Sequence, residues 1–399
     1  MIVTQILLQH LKVLSRLINN TAIVEAWKGF LFKDGNIYAT NGESTAYVEN
    51  VVDPTYDIVI DAKMLLELLQ QITDYAFTMD VNTETRGIEI TTQKGKYKMV
   101  GHKSSNFGVN WEFDKASSKK LPINFKMIDL KYMGAGLSKD PMRNALCNYQ
   151  TFLEDNDFIL ATSDAQILMT FSSKPVKEFK PQDSLIINKF INQIYFDTDT
   201  DIWIDSQKTV LFIESGVYKY LVRTVQDKVV NILAAIPEKE TENSFTVSSA
   251  SLLNALIRLK VTKAISVLLK TDPSNQTLTL IAQNLDFNSE VKEVIRATVK
   301  GTGFISKLSF SSFLSTIYKN SATYCFDYVS ENRPALFKAG DYFGIIVQQL
   351  LEPADREVLA LKENSLFAVQ PINDNTPLPD PEEEDAVMSE NEEKDDFNV

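Results

Sequence analysis

Gln5, Gln9, Lys12 and Arg16 recur at i, i+4, i+7 and i+11, a spacing that lines them along one stripe of a helix. The stripe is polar to basic and holds no acid, which suits it to phosphate oxygens. The same bias returns twice. Lys126, Lys131, Lys139 and Arg143 stand against only Asp129 and Asp140, and Asn254, Arg258, Lys260 and Lys263 stand without an acid. Three further helical segments carry Lys63, Lys189 and Lys319, and only the first adds an acid, Glu67. On any one helix, such a face is also what solvent alone selects. Three helices that each lean basic in a chain of net charge −13 point instead to attraction of phosphates without reading of sequence, provided the chain curves so that they converge.

Covalent and metal chemistry find little support. His10 and His102 are the only histidines, and neither has a Cys or His at metal-ligand spacing. Gly101 with Lys103 does not make a phosphate loop, and Gly301-Thr302-Gly303 reads as a turn. No catalytic residue, metal or cofactor is expected, and the chain reads as a scaffold rather than an enzyme. Cys147 and Cys325 sit in largely apolar surroundings and are expected as free thiols of a cytoplasmic protein. No apolar run approaches the roughly 20 residues of a membrane helix. The segment Met1–Gln5 lacks the basic region of a secretory signal.

The elements that must position these residues recur. An amphipathic helix opens each of three stretches. Leu7, Leu11, Leu14 and Ile18 form the buried stripe of the first. The second spans Phe125 to Leu137, weakened by Gly134 and Gly136, and the third spans about Ser249 to Leu259 with Ser248 or Ser249 as its cap. A second helix follows later in each stretch, at Ala62–Ile72, Lys189–Tyr195 and Ser311–Tyr318, with Asp61, Asn188 and Ser309 as candidate caps. Between them lie strands of period two, such as Ile88–Thr92, Ile202–Asp205 and Thr323–Tyr328. Three strand–turn–strand segments end at Ala39, Ala161 and Ala282, at intervals of 122 and 121 residues. That interval is the size of a domain. The expected class is α+β: three tandem copies of one domain, each with two helices packed on antiparallel sheet.

Polar stretches near Ser117–Lys120 and Glu238–Thr241 place the domains at 1–117, 118–243 and 244–351, followed by a C-terminal extension, 352–399. From Asp380 to Val399 there are ten acids and one lysine, so the tail holds most of the net charge and the body is only mildly acidic. Residues 373–399 have the composition of a disordered segment.

Over residues 1 to 351 the order of these motifs resembles the bacterial DNA polymerase III beta subunit, the replicative sliding clamp. Arg143–Thr170 with Ala161-Thr162-Ser163-Asp164, Ile186–Ile191, Gly301–Leu314 and Tyr342–Val347 carry the likeness. The resemblance implies half of a closed ring: a head-to-tail homodimer of six domains encircling duplex DNA and tethering a replicative polymerase. Lys12, Arg16, Lys126, Lys131, Lys139, Arg143, Arg258 and Lys263 are the candidate DNA contacts. It further implies a pocket between the second and third domains for a short motif of polymerases and the clamp loader, a Gln followed by Leu and an apolar-aromatic end. The matching positions are Leu146, Thr162, Ile167, Val230, Ala235, Pro334, Phe343, Ile345 and Val347. Ordinary domain–domain core is the alternative, most of all for Leu146 and Ile167. At the ring junction, Phe107 matches an apolar interface position, with Leu256 or Ile257 facing it.

The chain departs from the family at Asp164-Ala165-Gln166, where Gly-His-Arg is common, at Val230 and Ala234, and at Ile345-Ile346-Val347, where Met-Pro-Met is frequent. It therefore reads as a divergent member. Glu363-Asn364-Ser365-Leu366-Phe367 resembles the clamp-binding motif itself and is a candidate for self-binding; a short helix continuing Arg356–Leu361 on the third domain is the alternative. The competing functional reading is a three-domain scaffold not bound to DNA.

Overall fold

The computed structural model describes residues 1–108, 112–121, 127–154, 157–173, 184–195, 200–237, 241–284, 286–287 and 289–361. The first third of the chain forms β1 (Ile2–Val3), α1 (Thr4–Leu14), β2 (Gly29–Lys33), β3 (Asn36–Thr40), β4 (Ser44–Val48), β5 (Asp57–Asp61), α2 (Ala62–Gln71), β6 (Ala76–Asn82), β7 (Gly87–Thr91) and β8 (Lys96–Val100). The second forms β9 (Lys119–Leu121), α3 (Met127–Gly134), β10 (Tyr149–Glu154), β11 (Asp157–Ser163), β12 (Ile167–Ser173), β13 (Ile186–Ile187), a 3-10 turn (Lys189–Gln193), β14 (Thr200–Ile204), β15 (Val210–Ser215) and β16 (Tyr218–Val225). The last forms β17 (Asn243–Ser248), α4 (Ser249–Leu259), β18 (Ser266–Asp272), β19 (Thr277–Asn284), β20 (Ser289–Arg296), β21 (Thr298–Lys300), β22 (Ile305–Ser309), α5 (Phe310–Ser315), β23 (Thr323–Tyr328), β24 (Ala335–Ala339), β25 (Tyr342–Ile346), β26 (Gln348–Gln349) and α6 (Pro353–Leu361).

The helices arise where the side chains dictate. In α1, Leu7, Leu11 and Leu14 are buried along one stripe. Asp61 caps α2 by accepting from the Met64 N–H, and Asn188 caps the 3-10 turn by accepting from Phe190. Ser248, not Ser249, caps α4 through Ser251. Ser309 makes no cap bond to α5. The segment at 189–195 closes only a 3-10 turn, a shorter element than the helix expected there. α3 stops at Gly134, where a Cβ would meet the Tyr149 hydroxyl at 2.9 Å.

The repeat lies in the pairing pattern. A meander (β2–β3–β4, β10–β11–β12, β18–β19–β20) is closed on its first strand by β5, β13 or β22. A second meander (β6–β7–β8, β14–β15–β16, β23–β24–β25) takes the opening strand β1, β9 or β17 on its first strand. The α+β class with three copies of one unit is what the chain adopts. The alanine spacing marks this repeat less well than expected. Ala39 and Ala282 face the helices within the main core. Ala161 shares a cross-strand row with Gln150 and Thr170 on the other face, because Leu160 and Thr162 take the helix side.

Two seams join the units edge to edge. β4 pairs antiparallel with β16, Ser44–Val48 against Tyr218–Val222. β12 pairs antiparallel with β25, Ile167–Phe171 against Tyr342–Ile346. Gly344 permits the second seam, since a Cβ there would meet the Leu168 carbonyl oxygen at 2.0 Å. One contiguous core runs beneath all three units and takes in α1 to α5. The opposite sheet faces carry only small clusters.

Cys147 and Cys325 are free thiols. No helix among the described residues is long and apolar enough to cross a membrane.

Candidate nucleic-acid interface and peptide site

The helices form a continuous row. α1 packs on α2, the 3-10 turn Ser15–Leu17 packs on the turn Lys189–Gln193 across the first seam, and that turn packs on α3. Across the second seam the Tyr132 hydroxyl of α3 donates to the Thr316 carbonyl just after α5. On these helical elements and α4, or in the turns that follow them, Gln5, Gln9, Lys12, Arg16, Lys131, Lys139, Lys189, Lys260, Lys263 and Lys319 are exposed. The Arg16 guanidinium lies 5.9 Å from the Tyr195 ring centre and the Lys263 ammonium 5.4 Å from that of Phe287. Lys263 itself takes a left-handed backbone, φ 55°. Lys126 lies outside the described residues.

The two acids near the second helix do not offset it in the same way. Asp129 is turned inward, 9% exposed, and accepts from the Tyr342 hydroxyl at 2.5 Å and the Tyr318 hydroxyl at 3.4 Å. Burial, with the Asp129 hydrogen bond and charge, pushes the Tyr342 phenol far above its ordinary value. Asp140 pairs instead with Arg143 at 3.4 Å. Arg258 is also engaged: its guanidinium makes a two-pronged pair with Glu293 of β20, at 2.7 and 2.9 Å, and this pairing raises its pKa. Within the single chain its charge is shared with Glu293, although the side chain stays 56% exposed.

The nine expected pocket residues divide between two faces. Thr162 and Ile167 lie on the helix side. Thr162 is fully buried and donates to the Met133 carbonyl at 2.8 Å, and Ile167 is 2% exposed within the main core. Both side chains are buried on that side in the single chain. On the other face Ile345 clusters with Leu168 and Leu336, and Phe343, Ile232 and Ile236 pack over them. The 3-10 turn Ile232–Ala235 thus roofs the second seam. Val230 is 43% exposed and its N–H donates to the buried Gln150 side chain at 2.8 Å. Ala235 and Val347 are exposed, Pro334 and Leu146 half-buried, and the Val347 N–H ties to the Gln166 carbonyl at 2.7 Å. Leu168, Leu336, Ile232 and Ile236 escaped the sequence reading. The alternation along β12, with Leu168 between Ile167 and Met169, was the signal for the first.

Phe107 is 0% exposed, packed with Ala26, Leu31, Tyr38 and Val59, and its carbonyl accepts from the Trp27 indole at 2.8 Å. Leu256 is 0% exposed, within the main core. Both side chains are buried in the single chain, whereas the expected interface needs exposed ones. Ile257, next to Leu256 on α4, is 53% exposed. Glu363–Phe367 lies outside the described residues.

With the row of helices, the two seams and the threefold pairing pattern in place, comparison with solved structures decides the architecture. The sliding clamp of Bacillus subtilis superposes with a TM-score of 0.74 at 13% identity, over 88% of this chain and 98% of that one. The chain has the sliding-clamp fold. The beta subunit from DNA polymerase of Streptococcus pyogenes gives the same TM-score at 13% identity, over 88% and 99%. The DNA polymerase III beta subunit of Thermotoga maritima gives 0.72 at 16%, over 88% and 99%. No protein-family model and no curated protein matches the sequence. The clamp structures are thus covered almost whole, while about an eighth of this chain has no counterpart in them.

Proposed function

We propose that this chain is a divergent DNA polymerase III beta subunit: a sliding clamp that closes as a head-to-tail homodimer around duplex DNA and tethers a replicative polymerase, without catalysis of its own. Its domains are read as 1–117, 118–243 and 244–351, and its place as the cytoplasm. One observation carries the reading. In the repeat, β4, β12 and β20 are equivalent strands, and so are β8, β16 and β25. β4 is paired with β16 and β12 with β25. Among the described residues, β20 and β8 are each paired on one side only. A second copy supplies β8 to β20 and β20 to β8, and the same seam repeated closes six units into a ring. Each internal seam brings the first helical element of one unit beside the second of its neighbour. Ring closure therefore sets α4, with Ile257 and Val261 exposed, against α2 of the other copy, with Met64 exposed.

The inward row then presents Lys12, Arg16, Lys131 and Lys139, with Lys263, to the duplex. Dispersed lysines and arginines that meet phosphates and no base edges hold DNA while leaving the energy nearly flat along its axis, which is what sliding requires. The roofed second seam, with Phe343, Val230, Ala235 and Val347 at its surface, is the docking place for the short apolar motif of a polymerase or clamp loader.

The test is topological. The chain is diluted to monomers, mixed with circular duplex and concentrated so that rings close around it. Retention through a gel-filtration column, lost once the circle is linearised, is the expected result. Equal retention before and after cutting, or none at all, rejects the clamp.

A further inference from the structure

The C-terminal extension begins with α6 (Pro353–Leu361). Its position follows from one cross-strand row on the outer face of the third unit: Gln349, Lys307, Leu268, Ile281 and Lys292, on β26, β22, β18, β19 and β20 in turn. Asp355 pairs with Lys307 at 2.9 Å, both side chains largely buried. Leu359, one helical turn later, packs on Leu268 and Ile281 and is 3% exposed. Leu351, Val358 and Ile305 complete the contact. A turn of helix rises about 5.4 Å and strands lie about 4.8 Å apart, so α6 crosses the sheet at about one strand per turn or slightly faster. It is aimed at β20, the strand left open for ring closure, and it leads the chain away from the second seam.

We propose that the C-terminal extension is a strap across the ring junction: α6 anchors it on the third unit, and its acidic segment, Asp380–Asp396, docks on the outer face of β8 of the second copy. This rests on the head-to-tail ring proposed above. Three features choose this occupant. The chain beyond α6 is 38 residues long, with a contour far longer than the few strand widths to be crossed. α6 ends over β18 and β19, one strand short of the edge that β8 would join. The charge of the extension is complementary to that of β8, whose outer side carries Lys96 and Lys98, 64% and 76% exposed, preceded by Lys94. Glu89 on β7, one strand inward, is shared by Lys96 and Lys98 at 2.8 and 3.1 Å. Asp80 is cross-strand from Glu89 on β6, a further strand in. The positive charge therefore lies at the edge itself, where Lys292 and Arg296 of β20 add to it and Glu290 on the same face offsets one of them. A strap tethered beside its site acts at high effective concentration and gives weak ion pairs a lasting effect.

The experiment uses full-length protein. One variant replaces Glu382, Glu383, Glu384 and Asp385 by Gln or Asn, a second carries Lys96→Gln and Lys98→Gln, and a third combines them. Dimer dissociation constants are measured by sedimentation at about 50 mM and about 500 mM salt. At low salt each variant is expected to dimerise about five- to tenfold more weakly, a few exposed ion pairs' worth. The combination is expected to be no weaker than either alone, and all differences to vanish at high salt. An acid-neutralised chain that dimerises like the parent at low salt, or effects that simply add, overturns the strap while leaving the ring intact. A parent chain that is monomeric at every concentration overturns the ring, and the strap with it.

Discussion

The Tyr342 hydroxyl of β25 donates to the buried carboxylate of Asp129 on α3 at 2.5 Å, and so binds the last meander of the chain to the first helix of its middle unit. Tyr132 and Tyr318 pack against Tyr342 with ring centres 4.5 and 4.7 Å away. Tyr342→Phe keeps the packing and removes the main donor from a buried carboxylate. Such a loss costs about 1–3 kcal/mol. Urea unfolding should show a midpoint lowered accordingly, and Tyr342→Phe with Asp129→Leu should recover part of it. A single variant with the parent's midpoint would show that the carboxylate is not held by this bond.

Lys12, Arg16 and Lys131 lie on the exposed side of the helix row, while Arg258 is held by Glu293. Each phosphate contact contributes about 0.9 to the slope of log affinity against log salt. Changing Lys12, Arg16 and Lys131 together to Ala should flatten that slope by up to roughly 2.7. Arg258→Ala should leave it unchanged. A slope that responds to Arg258 as it does to Lys131 would return Arg258 to the DNA face.

Phe343 and Val230 stand at the roofed seam, whereas Thr162 is buried on its far side. Phe343→Ala is expected to weaken binding of a Gln-x-x-Leu-Phe peptide at least tenfold, the loss of an aromatic anchor. Thr162→Val should leave peptide affinity alone and lower stability by about 1 kcal/mol through its lost bond to Met133. Fluorescence anisotropy and thermal unfolding of the same samples separate the two effects.

The division between Phe343 and Thr162 shows what the chain reveals on its own. Helices α1 and α4, the caps Asp61 and Asn188 and the three-copy order are written in local periodicity and capping chemistry, so they could be read directly. The face a strand residue takes is set by register, and a slip of one residue reverses it. That is why the side of the sheet taken by Ala161 and Thr162, and the burial of Phe107 in a loop with no period, carry no local signal. The pairing of Arg258 with Glu293 joins residues 35 apart in sequence and had no local signal. The inward turn of Asp129 depends on Tyr342, 213 residues away.

His10 of α1 is half-buried at the first seam, its Nδ1 3.1 Å from the Tyr218 hydroxyl, and burial lowers its pKa below 6.5. The unfolded chain therefore takes up the proton first as pH falls. Above pH 6.5 the group makes no difference. Stability should fall as pH drops from about 6.5 through the lowered folded value, then lose no more from this group. His10→Gln should remove that part of the decline, so the melting temperatures of parent and variant diverge between pH 7 and 5. Parallel curves across this range would show that His10 does not titrate with folding.

Leu256 and Ile257 are neighbours on α4 with opposite surroundings, 0% and 53% exposed. Leu256→Asp puts a charge into the main core, where an unpaired ion is not tolerated, and the chain should fail to fold or melt far below the parent. An Asp at position 257 enters solvent in the single chain and should leave unfolding within about 0.5 kcal/mol of the parent. In the ring, the same side chain would face α2 of the second copy, so Ile257→Asp should shift sedimentation from dimer to monomer and abolish retention on circular DNA. The contrast separates folding from closure, because only the second substitution yields a folded chain that cannot complete the seam. A folded Ile257→Asp chain that still dimerises with the parent's affinity would place ring closure elsewhere than the face shared by α4 and α2.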